Sequence, residues 1–113
     1  KDVSHFAPGY KMMSDDVLKI VNADHKKYRS IFSFGFGIWM DCSWREKGWN
    51  TEDFAKNFYT PDEFEKTVNT AIKTTDEYVW IYTETPKWWT NAGKPDKLPQ
   101  EYTDALKRAK GEQ

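Results

Sequence analysis

Hydrophobic and polar positions change their period four times along the chain, and each change predicts an element. Residues 1–13 carry Pro8-Gly9 and read as irregular. From Ser14 the spacing is helical, with Val17, Ile20, Val21, Tyr28 and Ile31 on one face. Ser14 is placed to cap this helix, and Asp15 and Asp16 put negative charge where its dipole favours it. The helix is predicted over 14–31. Over 32–41 the period drops to two: Phe32, Phe34, Phe36, Ile38 and Met40 alternate with Ser33, Gly35, Gly37, Trp39 and Asp41. This predicts a strand with one bulky face and one nearly bare face, and a bare strand face invites close approach by another group.

Residues 42–59 form a Trp-rich loop, with a short helical turn predicted within Asp53 to Phe58. Thr60-Pro61-Asp62-Glu63 then supplies a cap, a Pro at the first helical position and a Glu three residues after the cap. The helix that follows, over 60–75, carries Phe64, Val68, Ala71 and Ile72 on one face. Y-V-W-I-Y-T opens a second strand, over 78–84, rich in β-formers and apolar on both sides, as strands in a covered sheet are. A second Trp-rich loop covers 85–98, with Pro86, Gly93 and Pro95. The last helix spans 99–110, with Tyr102, Ala105, Leu106 and Ala109 inward and Gly111 as its stop. Two doubly apolar strands joined by a helix predict a βαβ crossover with parallel strands, so the fold class is α/β.

Composition narrows the function classes. In 113 residues, 17 Lys and Arg balance 18 Asp and Glu, giving a net charge of −1. That argues against a nucleic-acid partner held by bulk positive charge. No apolar run approaches the roughly 20 residues of a membrane span. One Cys excludes an internal disulfide framework. No cofactor is expected: Gly35 and Gly37 sit inside a strand and lack the third glycine of a dinucleotide turn. No metal is expected either. His5 has no partner motif, His25 reads as a surface or helix-end residue, and Cys42 as a packing residue. Aromatics are abundant, with six Trp, six Tyr and seven Phe.

Each strand ends in an acid, Asp41 and Glu84. In parallel α/β architectures ligands sit at the carboxyl ends of strands, so both acids are predicted on one rim. Strand parity groups Asp41 with Trp39, Gly37 and Gly35, and Glu84 with Tyr82, Trp80 and Tyr78. The bare face of one strand is positioned to receive the aromatic face of the other. Trp44 and Trp49 follow the first acid, and Trp88 and Trp89 the second. Indole faces pack on the C–H groups of sugar rings, and paired carboxylates perform glycoside hydrolysis. The candidate catalytic pair is therefore Asp41 and Glu84. The candidate substrate contacts are Trp39, Trp44, Trp49, Tyr82, Trp88, Trp89 and Arg45, although Arg45 and Lys87 also read as ion-pair partners of the acids.

The segments G-F-G-I-W-M-D at 35–41 and D-E-Y-V-W-I-Y-T-E-T-P-K-W-W at 76–89, with T-P-D-E-F-E between them and L-P-Q-E-Y-T-D-A-L after, resemble the C-terminal part of bacterial glycoside-hydrolase-like (β/α)8-barrel proteins. The resemblance runs from about Ala7 onward. It implies that Phe34 to Asp41 is similar to the seventh barrel strand and Tyr78 to Glu84 to the eighth, and that the partner is carbohydrate. A complete barrel takes about 250 residues. The expectation is thus one partial α/β domain over 1–113, hydrolytic only with the remainder of the barrel or with another copy of the chain. A start at Lys1 fits a processed or longer protein, and carbohydrate association favours a secreted or extracytoplasmic location. The alternatives are a non-catalytic sugar-binding module and an assembly protein that meets its partner through aromatic surface.

Overall fold

The computed structural model describes residues 2–21, 24–89 and 96–112. Its centre is a two-stranded parallel sheet, β1 (Phe36–Trp39) and β2 (Val79–Tyr82), in the register Phe36↔Val79 to Trp39↔Tyr82. Backbone bonds continue past both ends of the ladder, from Asp76 N–H to Phe34 O at 3.1 Å and from Met40 N–H to Tyr82 O at 3.0 Å. The mixed α/β class and the parallel direction agree with the sequence pattern.

The connection between the strands is helical because its start is strongly specified. In α4 (Pro61–Thr74) the Thr60 hydroxyl accepts from Glu63 N–H at 3.3 Å, and the Glu63 carboxylate accepts from Thr60 N–H at 3.0 Å. Two orphan donors of the first turn are thereby satisfied, with Pro61 where its missing N–H costs nothing. The buried face of α4 is Phe64, Thr67, Val68 and Ala71, whereas Ile72 is exposed. Helix α5 (Gln100–Lys110) packs beside it through Tyr102, Ala105 and Ala109 and stops at Gly111, whose φ of 79° suits glycine. Asn69 Nδ2 donates to Ala109 O at 3.0 Å across this pair.

Together α4 and α5 cover one face of the sheet. Ile38 and Met40 enter a core with Phe64, Val68, Ala71, Leu98 and Tyr102, and Phe36, Val79 and Ile81 pack against it. The opposite face carries Gly35, Gly37 and Trp39 from the first strand segment and Tyr78, Trp80 and Tyr82 from the second. Among the described residues it is uncovered. The sheet is therefore covered on one side only. The second face is apolar in sequence, yet its aromatics stand in solvent.

The N-terminal third differs most from the sequence pattern. In place of an irregular 1–13 and one helix over 14–31, a continuous helical run occupies Val3 to Lys19. It comprises a 3-10 turn (Val3–His5), α1 (Phe6–Lys11), a π turn (Met12–Asp16) and a further 3-10 turn (Val17–Lys19). Pro8 does not interrupt the run: it stands at the third position of α1, directly after the 3-10 turn, where the helix changes its hydrogen-bond step. Asp2 caps the run, accepting from Ser4 N–H at 2.9 Å, and Ser14 sits inside it. Residues 22–23 of the predicted helix lie outside the described residues. A separate helix, α2 (His25–Ile31), is capped by Asp24, which accepts from Lys26 N–H and Lys27 N–H at 2.9 and 3.1 Å. Ile20 and Ile31 are exposed. Phe6 of α1 meets Phe36 edge-on, with centroids 4.8 Å apart.

The first Trp-rich loop is ordered by its own polar contacts. It holds a short helix, α3 (Trp44–Lys47), and a 3-10 turn at Phe54–Lys56 capped by Asp53, where a turn is predicted. Asn57 is buried. Its amide accepts from Asn50 N–H at 2.8 Å, and donates to Asn50 O at 2.9 Å and to the Tyr102 hydroxyl at 3.0 Å. Tyr102 in turn donates to Tyr59 O at 2.6 Å. In the second loop, Gly93 and Pro95 lie outside the described residues.

Candidate functional site

Parallel pairing brings the ends of β1 and β2 to the same edge of the sheet, and with them Asp41 and Glu84. Their surroundings differ. Asp41 is 2% exposed and all of its hydrogen bonds come from N–H groups. Oδ1 accepts from the Trp39 indole and from Glu84 N–H, both at 3.1 Å; Oδ2 accepts from Thr85 N–H at 2.8 Å and Glu84 N–H at 3.2 Å. A buried carboxylate survives only when its oxygens are met by donors. Here the donors are the backbone of the turn after β2, so Asp41 ties the end of one strand to the start of the loop following the other.

Glu84 keeps its side chain partly open. Arg45 Nη2 stands 3.9 Å from Oε2, a loose and exposed ion pair of little energetic weight. Lys87 Nζ bonds the backbone carbonyl of Glu84 at 2.6 Å, rather than its carboxylate. Desolvation, and then the Glu84 charge, push the Tyr82 phenol above its usual range. Trp39 and Tyr82 contact each other as a tilted ring pair, 5.9 Å between centroids.

The glycines of β1 explain how the aromatics lie. A Cβ at Gly37 would fall 2.3 Å from the Trp80 ring, and one at Gly35 would fall 2.5 Å from Tyr78 O. Only a bare backbone lets the Trp80 indole rest on the neighbouring strand. The rest of that indole is open, with Trp80 61% exposed. Strand parity placed Trp80 on this face. Its packing on the bare face of β1 follows from that parity, but Trp80 is not among the predicted substrate contacts, because its place inside the strand, away from the acids, does not show that solvent stands above it.

The loop tryptophans separate. Trp49 packs on the Tyr102 ring at 5.1 Å and joins the core margin, as does Trp88. Both are drawn toward the core rather than to the face that carries Trp39 and Tyr82, Trp49 against Tyr102 of α5. Trp44 is half-buried, with the Arg45 guanidinium 5.4 Å from its ring centroid. Trp89 is almost fully exposed. The residues gathered on one face are thus Trp39, Trp80, Tyr82 and Glu84, with Asp41 beneath and Arg45 at the rim.

Other reactive groups offer little chemistry. Burial, and then the charge of Asp41, push the Cys42 thiol up, which opposes a thiolate. His25 Nε2 pairs with Val21 O, and His5 stands 3.4 Å from Asp2. Among the described residues, no three His, Cys, Asp or Glu side chains converge as a metal site, and no helix is long and apolar enough to cross a membrane. No family model, curated protein or solved structure matches the chain.

Proposed function

We propose that the uncovered sheet face is a carbohydrate-binding surface, and that its carboxyl edge, with Glu84, serves hydrolysis at the mouth of a barrel when further β/α units complete one. Those units come from a longer protein or from another copy of the chain. The observation that carries this reading is the Trp80 indole resting on Gly37, beside Trp39, Tyr82 and the partly open Glu84 carboxylate. A flat exposed ring offers a stacking surface to sugar C–H groups, and Glu84 and the Tyr82 hydroxyl offer hydrogen bonds to sugar hydroxyls. Glu84 is the candidate acid. Asp41, with its oxygens already bonded to N–H groups, is a positioning residue that fixes where Glu84 leaves the backbone.

The test is calorimetric titration of the chain with soluble gluco-, xylo-, manno- and chito-oligosaccharides. Saturable binding to one class, lost in Trp80→Ala, supports the reading. Glu84→Gln then separates binder from hydrolase, since a binding module keeps much of its affinity while a hydrolase assembled with its missing units loses turnover. A second reading, assembly through the same face, is favoured by the exposure of Trp39, Tyr78, Trp80 and Tyr82 together. Sedimentation that depends on concentration and ignores every sugar would favour it.

A further inference from the structure

At the amino ends of the strands, on the opposite pole from Asp41 and Glu84, lies a cleft of about 280 Å³. Tyr10 from α1, Tyr28 from α2 and Phe32 and Phe34 from the segment entering β1 form its aromatic wall, and Asp76 and Glu77 from the turn before β2 supply two carboxylates. The rings are mutually braced. Tyr10 meets Phe34 edge-on with centroids 6.2 Å apart, and Tyr28 stacks on Phe32 at 4.3 Å. Asp76 is fixed by two donors, the Tyr10 hydroxyl at 2.5 Å and Phe34 N–H at 2.9 Å. These bonds hold its carboxyl below the usual range, so the charge is present at neutral pH. Glu77 stands exposed beside it.

Among the described residues the one cation in the lining is Arg29, and it is paired with Asp15 at 3.2 Å. With that pair neutral, Asp76 and Glu77 leave the cleft net negative. Aromatic faces attract cations through the ring quadrupole, and neighbouring carboxylates add to the same field. A neutral apolar guest would gain from the rings alone, and an anion would be repelled. We infer that this cleft is a binding site for a small organic cation of the alkylammonium class. The site shares no side chain with the proposed carbohydrate face and is independent of it.

The experiment titrates the chain with choline and, separately, with dimethylbutanol, the uncharged carbon isostere, while aromatic proton–carbon NMR signals are followed. The expected result is saturable shifts at Tyr10, Tyr28, Phe32 and Phe34 with choline, and binding about tenfold weaker with the isostere, the factor set by the cation–ring and carboxylate attraction. Phe34→Leu and Glu77→Gln should each weaken choline. Should Phe34→Leu disturb the Trp80 signals and so the fold, the exposed Glu77→Gln carries the comparison. Equal binding of the two probes, no saturable shift, or shifts confined to Trp39 and Trp80 would overturn the assignment.

Discussion

The carboxylate of Asp41 holds the backbone N–H of Glu84, 43 positions further along the chain, through bonds of 3.1 and 3.2 Å. The ends of two parallel strands are locked by this contact. A side chain from one strand thereby decides where the acid of the other begins. Asp41→Asn tests the lock. An amide has one oxygen to offer where three N–H groups now find two, and its NH₂ must face a donor. Loss of about 2–3 kcal/mol is expected in urea unfolding, the range for a buried charged acceptor left mismatched.

Gly37→Ala should disturb the aromatic face more than the fold. The new methyl would stand 2.3 Å from the Trp80 ring, so the indole must swing away. A cost of about 1–2 kcal/mol and a changed Trp emission spectrum are expected. In the Trp80→Ala background the same substitution should cost much less, and that coupling is what a double-mutant cycle measures.

The Tyr102 hydroxyl links α5 to the Trp-rich loop by donating to Tyr59 O and accepting from Asn57. Tyr102→Phe leaves both groups short of a partner in a buried setting. Thermal unfolding should show a loss of about 1–2 kcal/mol, with the helical circular dichroism of the native state preserved.

Asp76 gives the acid limb of stability a defined contributor. Its pKa is lowered from 3.8, first by the Tyr10 hydrogen bond and then by Phe34 N–H. A carboxyl depressed in the folded state contributes stability that is fully present above the unfolded value and is lost as pH falls through the folded one. Unfolding followed from pH 6 downward should therefore show a shallower loss below about pH 4 in Asp76→Asn than in the parent chain. Parallel curves would remove Asp76 from that role.

Legibility in the sequence followed how local each signal is. The α4 start was readable because Thr60, Pro61 and Glu63 lie within four positions and act on one another. The strand direction was readable because both strands are apolar at successive positions and a helix of adequate length separates them. The N-terminal run was not, because Pro8-Gly9 reads as a breaker and Ser14-Asp15-Asp16 reads as a start, while the caps in use are Asp2 and Asp24. Trp49 and Trp88 sit in polar loops like Trp89, and only long-range packing decides which of them meet the core. Alternation put Asp41 at the site, but its burial under the Glu84–Thr85 backbone is a long-range contact that no spacing announces.

The most direct measurement is Trp fluorescence of the chain titrated with a graded oligosaccharide series, repeated for Trp80→Ala and, as a comparison, for the exposed Trp89→Ala. The account predicts saturable quenching in the parent chain and in Trp89→Ala, and its loss in Trp80→Ala. Titrations in which no sugar changes the emission, or in which Trp80→Ala responds like the parent, would contradict it.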